Sequence, residues 1–208
     1  MNKYITEFIG TFFLVLAIGM NVLSPGSAEM APFAIGATLM IMVYAGGHIS
    51  GAHYNPAVTL AVFMRGKCEA KDVAPYIISQ VLGAVAGASL AGFMKGSPIV
   101  SAASPDVIRA LIAEFTWTFA LVYVVLNTAT AKGTAGNGFY GLAIGFTVVA
   151  GAYTMGGISG GAFNPAVAVG ISIMGLSAWT NIWIFLVANF GGAALAATIF
   201  KIFNADDK

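Results

Sequence analysis

A twelve-residue pattern occurs twice in this chain. Gly47-His48-Ile49-Ser50-Gly51-Ala52-His53-Tyr54-Asn55-Pro56-Ala57-Val58 aligns with Gly156-Gly157-Ile158-Ser159-Gly160-Gly161-Ala162-Phe163-Asn164-Pro165-Ala166-Val167, 109 positions later. The same offset carries Gln80 onto Asn189 and Gly83 onto Gly192, and upstream Glu7 in Glu-Phe-Ile-Gly-Thr-Phe-Phe answers Glu114 in Glu-Phe-Thr-Trp-Thr-Phe. Self-similarity at such a distance predicts two copies of one structural unit.

The medium of that unit follows from composition. Only 8% of the 208 residues are charged, 59% are hydrophobic and the mean hydropathy is +0.88, so most of the surface must face lipid. About 20 residues cross a bilayer as a helix, which leaves room for roughly six spans and no separate soluble domain. Apolar runs bounded by Gly, Pro, Ser or charge predict spans near 4–23, 31–50, 72–94, 106–131, 138–156 and 179–203. Two further helix-like pieces, Asn55 to about Met64 and Asn164 to about Met174, are long enough for only half a bilayer. The apolar N-terminus has some look of a signal peptide, but it recurs inside the chain as part of the repeat and reads as a structural helix.

The predicted fold is therefore an all-α membrane protein of six spans and two re-entrant half-helices. It forms a single domain over 1–208, with repeats at approximately 1–95 and 106–208. Three spans per repeat force the halves into opposite orientation, with a shared site near the midplane. With the N-terminus cytoplasmic, Lys3, Arg65, Lys67, Lys71, Lys132, Lys201 and Lys208 lie inside and only Lys95 and Arg109 outside. The positive-inside rule favours that topology, with both termini cytoplasmic, and the expected location is the cell membrane.

Other classes lose ground quickly. A net charge of +1 offers no basic stripe for nucleic acid, a lone Cys68 excludes an internal disulfide or Cys-rich metal site, and two histidines are too few for a metal centre. No nucleophile and base stand out as a pair, so neither an enzyme nor a cofactor is expected. Ser50 and Ser159 fall at equivalent positions, which favours backbone hydrogen bonding over catalysis. Small residues at roughly four-residue spacing, Gly83 and Gly87 in the third span and Gly192 and Ala196 in the sixth, predict close helix crossing.

Asn is a preferred N-cap and Pro is preferred at the first helical position, so Asn55-Pro56-Ala57 and Asn164-Pro165-Ala166 each start a helix. Non-helical backbone at membrane depth survives only where protein buries it or it lines a wet cavity. The preceding segments Gly51–Tyr54 and Gly160–Phe163 therefore read as carbonyl-lined pore walls. Two half-helices entering from opposite faces would bring their positive dipole ends together at the centre, opposing cations and protons. The amides of Asn55 and Asn164 could donate hydrogen bonds to a passing water.

These motifs resemble those of the aquaporin, or major intrinsic protein, family, and the likeness runs through essentially the whole chain. It implies a homotetramer in the bilayer with one pore per subunit, passing water and small neutral solutes. By register from the two Asn residues, the family's narrow filter falls on Ile35, Ala152, Gly161 and Val167. Val167 departs from the Arg usual there and resembles some tonoplast-type members. The expectation is a filter wider than that of a strict water channel, open to glycerol, urea or ammonia. The Asp that follows this Arg in glycerol channels is also missing, being Ala168. The resemblance further implies that Glu7 and Glu114 hold the backbone of the two loops, and that His48 supports the first loop near the pore. An intramembrane carboxylate is otherwise a functional group by default, so the competing reading is an inverted-repeat secondary transporter coupled through Glu7 and Glu114. A junction or scaffold protein fits less well, because the loops are short.

Overall fold

A computed structural model describes residues 1–207. It contains eight α-helices: α1 Asn2–Val22, α2 Ala31–Ser50, α3 Pro56–Met64, α4 Ala70–Met94, α5 Val107–Val125, α6 Tyr140–Ser159, α7 Pro165–Ile173 and α8 Ile182–Phe203. A π-helical turn, Leu126–Thr130, extends α5, and a 3-10 turn, Trp179–Asn181, precedes α8. Six of these elements are long and apolar enough to cross a membrane. At nine residues each, α3 and α7 rise about 14 Å and reach only the middle. With six crossings the two ends of the chain emerge on one face, called here the terminal face; the other is the far face.

The fifth span, predicted to end at 156, continues as α6 to Ser159. What ends it is Gly160, left-handed at φ 93°, just as Gly51 at φ 85° ends α2. Only a residue without a Cβ takes that conformation freely. His48 lies in the last turn of α2, within the predicted span 31–50, and His53 in the loop that follows.

The helices pair alike in the two halves. Helix α1 packs on α4 as α5 packs on α8, and α2 crosses α6 at the centre. At that crossing a Cβ built on Gly36 would stand 2.6 Å from the Gly145 carbonyl oxygen, and one on Gly145 would stand 2.6 Å from the Gly36 oxygen. The reciprocity marks a pseudo-twofold contact with backbone against backbone. Buried alanines complete the seams, Ala84, Ala88 and Ala91 on α4 and Ala193, Ala196 and Ala197 on α8. In lipid, such small residues give the close van der Waals contact that replaces the hydrophobic effect between helices. The outward stripes, Ile5, Ile9 and Phe13 on α1 and Ile108, Ile112 and Phe115 on α5, are exposed at four- and three-residue spacing, as a lipid-facing side requires.

The terminal face carries a feature without a counterpart in the other half. Arg65 caps the end of α3, where α7 ends on Met174. The Arg65 guanidinium lies 4.9 Å above the Phe200 ring, donates to the Thr130 carbonyl at 3.2 Å, and pairs with Asp207 at 2.7 Å. The other Asp207 oxygen accepts from the Lys132 backbone N–H at 2.7 Å. That bond and the nearby Arg65 charge hold the Asp207 carboxyl below its ordinary value of 3.8. A depressed native pKa means a contribution that is complete at neutral pH and is lost as the pH falls through that lowered value. Asp207→Ala is therefore expected to speed amide hydrogen exchange at Lys132 and its neighbours at pH 7 while leaving α1 unchanged. Unaltered exchange at Lys132 would show that the latch does not order this connection.

Candidate functional site

Helices α3 and α7 meet head to head at the centre of the bundle. Asn55 and Asn164 are in extended conformation, and each Oδ1 caps its own helix, accepting from Ala57 N at 2.8 Å and from Ala166 N at 2.9 Å. Each side-chain amide then reaches across. Asn55 Nδ2 donates to the Phe163 carbonyl and Asn164 Nδ2 to the Tyr54 carbonyl, both at 2.9 Å. An Asn amide has two N–H groups, so this exchange leaves one on each side free for a visitor.

The loops that carry the two Asn residues are strained in matching places. Ala52 and Tyr54 have φ of 51° and 50°, and Gly161 and Phe163 have 66° and 48°. Non-glycine residues occupy this region only when their surroundings dictate it, and here the dictating group is a carboxylate. Glu7 Oε1 accepts from Ser50 Oγ at 2.6 Å and His53 N at 3.0 Å, while Oε2 accepts from Tyr54 N at 2.7 Å and Gln80 Nε2 at 2.8 Å. Glu114 repeats the set with Ser159 Oγ at 2.7 Å, Ala162 N at 2.9 Å, Phe163 N at 2.7 Å and Asn189 Nδ2 at 2.9 Å. Both carboxylates are fully buried. Each lies among donors alone, the arrangement a buried anion needs.

With their N–H groups turned back to the carboxylates, the loops offer their carbonyls elsewhere. Among the described residues nothing donates to the oxygens of Gly51, Ala52 and His53 in the first loop, or of Gly160, Gly161 and Ala162 in the second. Buried carbonyls such as those of Ala52, His53 and Ala162 rarely go unpaired, and these two loops border a cavity of about 380 Å³. The cavity runs from Val22, Leu176 and Ser177 on the far side, past Asn55 and Asn164, to Val43, Leu121 and Val125 toward the terminal face. Its opposite wall is aliphatic. Oxygens along one side, two amides in the middle and hydrocarbon facing them make a path for small molecules that trade water contacts one at a time.

The profile of the major intrinsic protein family matches residues 1–200. The chain belongs to that family. It is 37% identical to Aquaporin NIP1-3 of Oryza sativa subsp. japonica, over 100% of this chain and 75% of the relative. It is 35% identical to the glycerol uptake facilitator protein-like 6 of Lactiplantibacillus plantarum over 100% of both chains, and 33% identical to Aquaporin Z of Rhodopseudomonas palustris over 99% of this chain and 94% of that one. The fold is that of the aquaglyceroporin from Plasmodium falciparum, at a TM-score of 0.79 and 23% identity, covering 98% of this chain and 97% of that one. The protein is thus an integral, multi-pass membrane channel of the water and small-solute class, and not an enzyme.

The residues expected at the filter, Ile35, Ala152, Gly161 and Val167, all border the channel cavity. His48 does not. It is exposed on the last turn of α2, and the histidine within the loop is His53, buried, with its Nδ1 3.1 Å from Thr59 Oγ1. The sequence did align Gln80 with Asn189, but gave no sign that they clamp the glutamates. Nor did it mark Tyr76, whose hydroxyl caps the Ser50 carbonyl at 2.7 Å.

Proposed function

We propose that the protein is a passive channel for water and small uncharged solutes that excludes ions and protons, with a filter wider than that of a strict water channel. The observation that carries this reading is Val167. It is 4% exposed, borders the cavity one turn into α7, and brings no hydrogen-bond donor or charge to the wall. Its neighbours across the path, Ile35, Ala152 and Gly161, bring none either. Width and weak polarity favour solutes such as glycerol, urea or ammonia beside water, and a full-length relative described as a glycerol uptake facilitator-like protein is consistent with that.

Ion exclusion falls to the centre in this reading. The N-terminal ends of α3 and α7 each present about half a positive charge there. Asn55-Pro56-Ala57 and Asn164-Pro165-Ala166 fix the two ends, and the free amide N–H groups of Asn55 and Asn164 hydrogen-bond the passing oxygen. A neutral solute replaces its water stepwise, whereas a cation meets a positive potential in a medium too apolar to compensate it. We further infer that the repeats at approximately 1–95 and 106–208 form one channel domain, that it assembles as a homotetramer, and that the terminal face is cytoplasmic. Glu7 and Glu114 act as loop supports in this scheme. Their commitment to four donors each favours that role over proton or ion coupling.

Val167→Arg tests the filter. Stopped-flow light scattering on proteoliposomes is expected to show water and at least one larger solute crossing in the wild type, with the larger solute slowed about tenfold or more in the variant, since an added guanidinium both narrows the path and charges it. A wild type that passes water alone would place the constriction elsewhere. A current carried by cations would overturn exclusion by the central dipoles.

A further inference from the structure

Six polar side chains border the channel cavity: His53, Tyr54, Asn55, Ser159, Asn164 and Ser177. Most are already committed. Tyr54 Oη donates to the Met42 carbonyl, Ser159 Oγ donates to Glu114 and accepts from Gly161 N, and His53 meets Thr59. Asn55 and Asn164 lie at the centre. Ser177 differs from all of these. It is only 5% exposed, and its hydroxyl has no hydrogen-bond partner among the described residues.

Its backbone is fixed. Ser177 N donates to the Ile171 carbonyl at 3.3 Å, closing the end of α7, and Ser177 bridges in parallel to Ala103 of the α4–α5 connection. Ala103 N donates to the Leu176 carbonyl at 3.0 Å, and Asn181 Nδ2 donates to the Ala103 carbonyl at 3.3 Å. The loop is tied on both sides, so the hydroxyl is held at the far mouth. The cavity wall toward the far face also includes the apolar Val22, Pro32, Pro105 and Leu176.

We propose that Ser177 is a specificity-determining residue of this channel, whose hydroxyl receives small oxygen-bearing neutral solutes as they lose water at the far mouth. The proposal rests on the wide-filter reading, which leaves this end of the path without a charged or amide donor. A solute approaching the unpaired carbonyls of Gly160 and Gly161 finds acceptors only, suited to its own O–H or N–H groups. Its oxygen needs a donor, and the Ser177 hydroxyl supplies one. A polyol or urea, which presents donors and an acceptor together, gains from both sets, whereas water, with less to replace, depends on the hydroxyl less. A hydroxyl that meets no protein partner and borders the cavity is open to a water or a solute.

Water, glycerol and urea permeabilities of proteoliposomes carrying the wild type, Ser177→Ala or Ser177→Thr decide the matter. A neutral hydrogen bond is worth about two- to tenfold in an equilibrium, so Ser177→Ala is expected to slow glycerol and urea about three- to tenfold and water less, with Ser177→Thr restoring conduction. Equal permeabilities in wild type and Ser177→Ala would overturn the proposal. So would a loss in Ser177→Ala that Ser177→Thr fails to recover, since the packing rather than the hydroxyl would then matter. A wild type that conducts water but neither larger solute defeats the wide filter and the role of Ser177 with it, whereas glycerol or urea conduction in the wild type that Ser177→Ala leaves unchanged rejects the role of Ser177 alone.

Discussion

Glu114→Ala is expected to leave no monodisperse channel in detergent, and Glu7→Ala the same. Each substitution strands four buried donors, two of them backbone N–H groups of a loop that is otherwise held only by the crossed Asn amide bond and a serine hydroxyl. An unsatisfied buried donor costs about 1 to 3 kcal/mol, so four cost roughly 4 to 12, comparable with the whole stability of a typical domain. The positive φ of Ala52, Tyr54 and Phe163 adds to the burden, because the strained backbone is held by these same bonds. Glutamine is the informative intermediate. Its carbonyl oxygen keeps one pair of donors, but its NH2 faces the other pair, so Glu114→Gln should fold with a lowered melting temperature and reduced permeability to every solute alike. The measurements are thermal unfolding by size exclusion and water flux. A Glu114→Gln protein of wild-type stability whose transport merely loses dependence on an ion gradient would favour a coupled transporter.

The second large effect lies in the helix seams. A Cβ on Gly83 would stand 2.4 Å from the Phe8 carbonyl oxygen, and one on Gly192 would stand 2.5 Å from that of Phe115. The obstacle in both cases is backbone, which cannot swing away, so α1 must move from α4, or α5 from α8. Overpacking of this kind costs about 1 to 3 kcal/mol for a small group. Gly83→Ala and Gly192→Ala should each lower the melting temperature by several degrees, and valine at either place by more. Gly92 supplies the control on the same helix as Gly83, because a Cβ there meets nothing within 4 Å. Gly92→Ala should be neutral or slightly stabilising through helix propensity, at most about 1 kcal/mol. If all three variants melt together, the close approach of α1 and α4 is not what those glycines serve.

These two effects differ in how visible they were beforehand. The glycines could be suspected from small-residue spacing alone, and the pairing of Glu7 with Glu114 from the repeat. Their consequences could not. Whether a glycine faces a carbonyl or open space depends on which side of the helix its neighbour lies, and Gly83 and Gly92 look alike in the chain.

What could be read from residues in order was set by interactions that act within a few positions. Apolar run length predicted six spans, Asn followed by Pro predicted where α3 and α7 begin, and the odd number of spans per repeat required inversion. Side-chain caps and hydrogen-bonded turns close over two to four residues, so their signals are local and survive in the sequence. The rest needed the packed chain. Arg65 finds Asp207 across 142 positions, Asn55 finds the Phe163 carbonyl across 108, and Ser177 pairs with Ala103 of the α4–α5 connection. His53 is likewise buried beside Thr59 by a loop whose N–H groups are bound to Glu7. Such contacts depend on how the helices cross, and the crossing depends on every seam at once, which no short stretch of residues encodes.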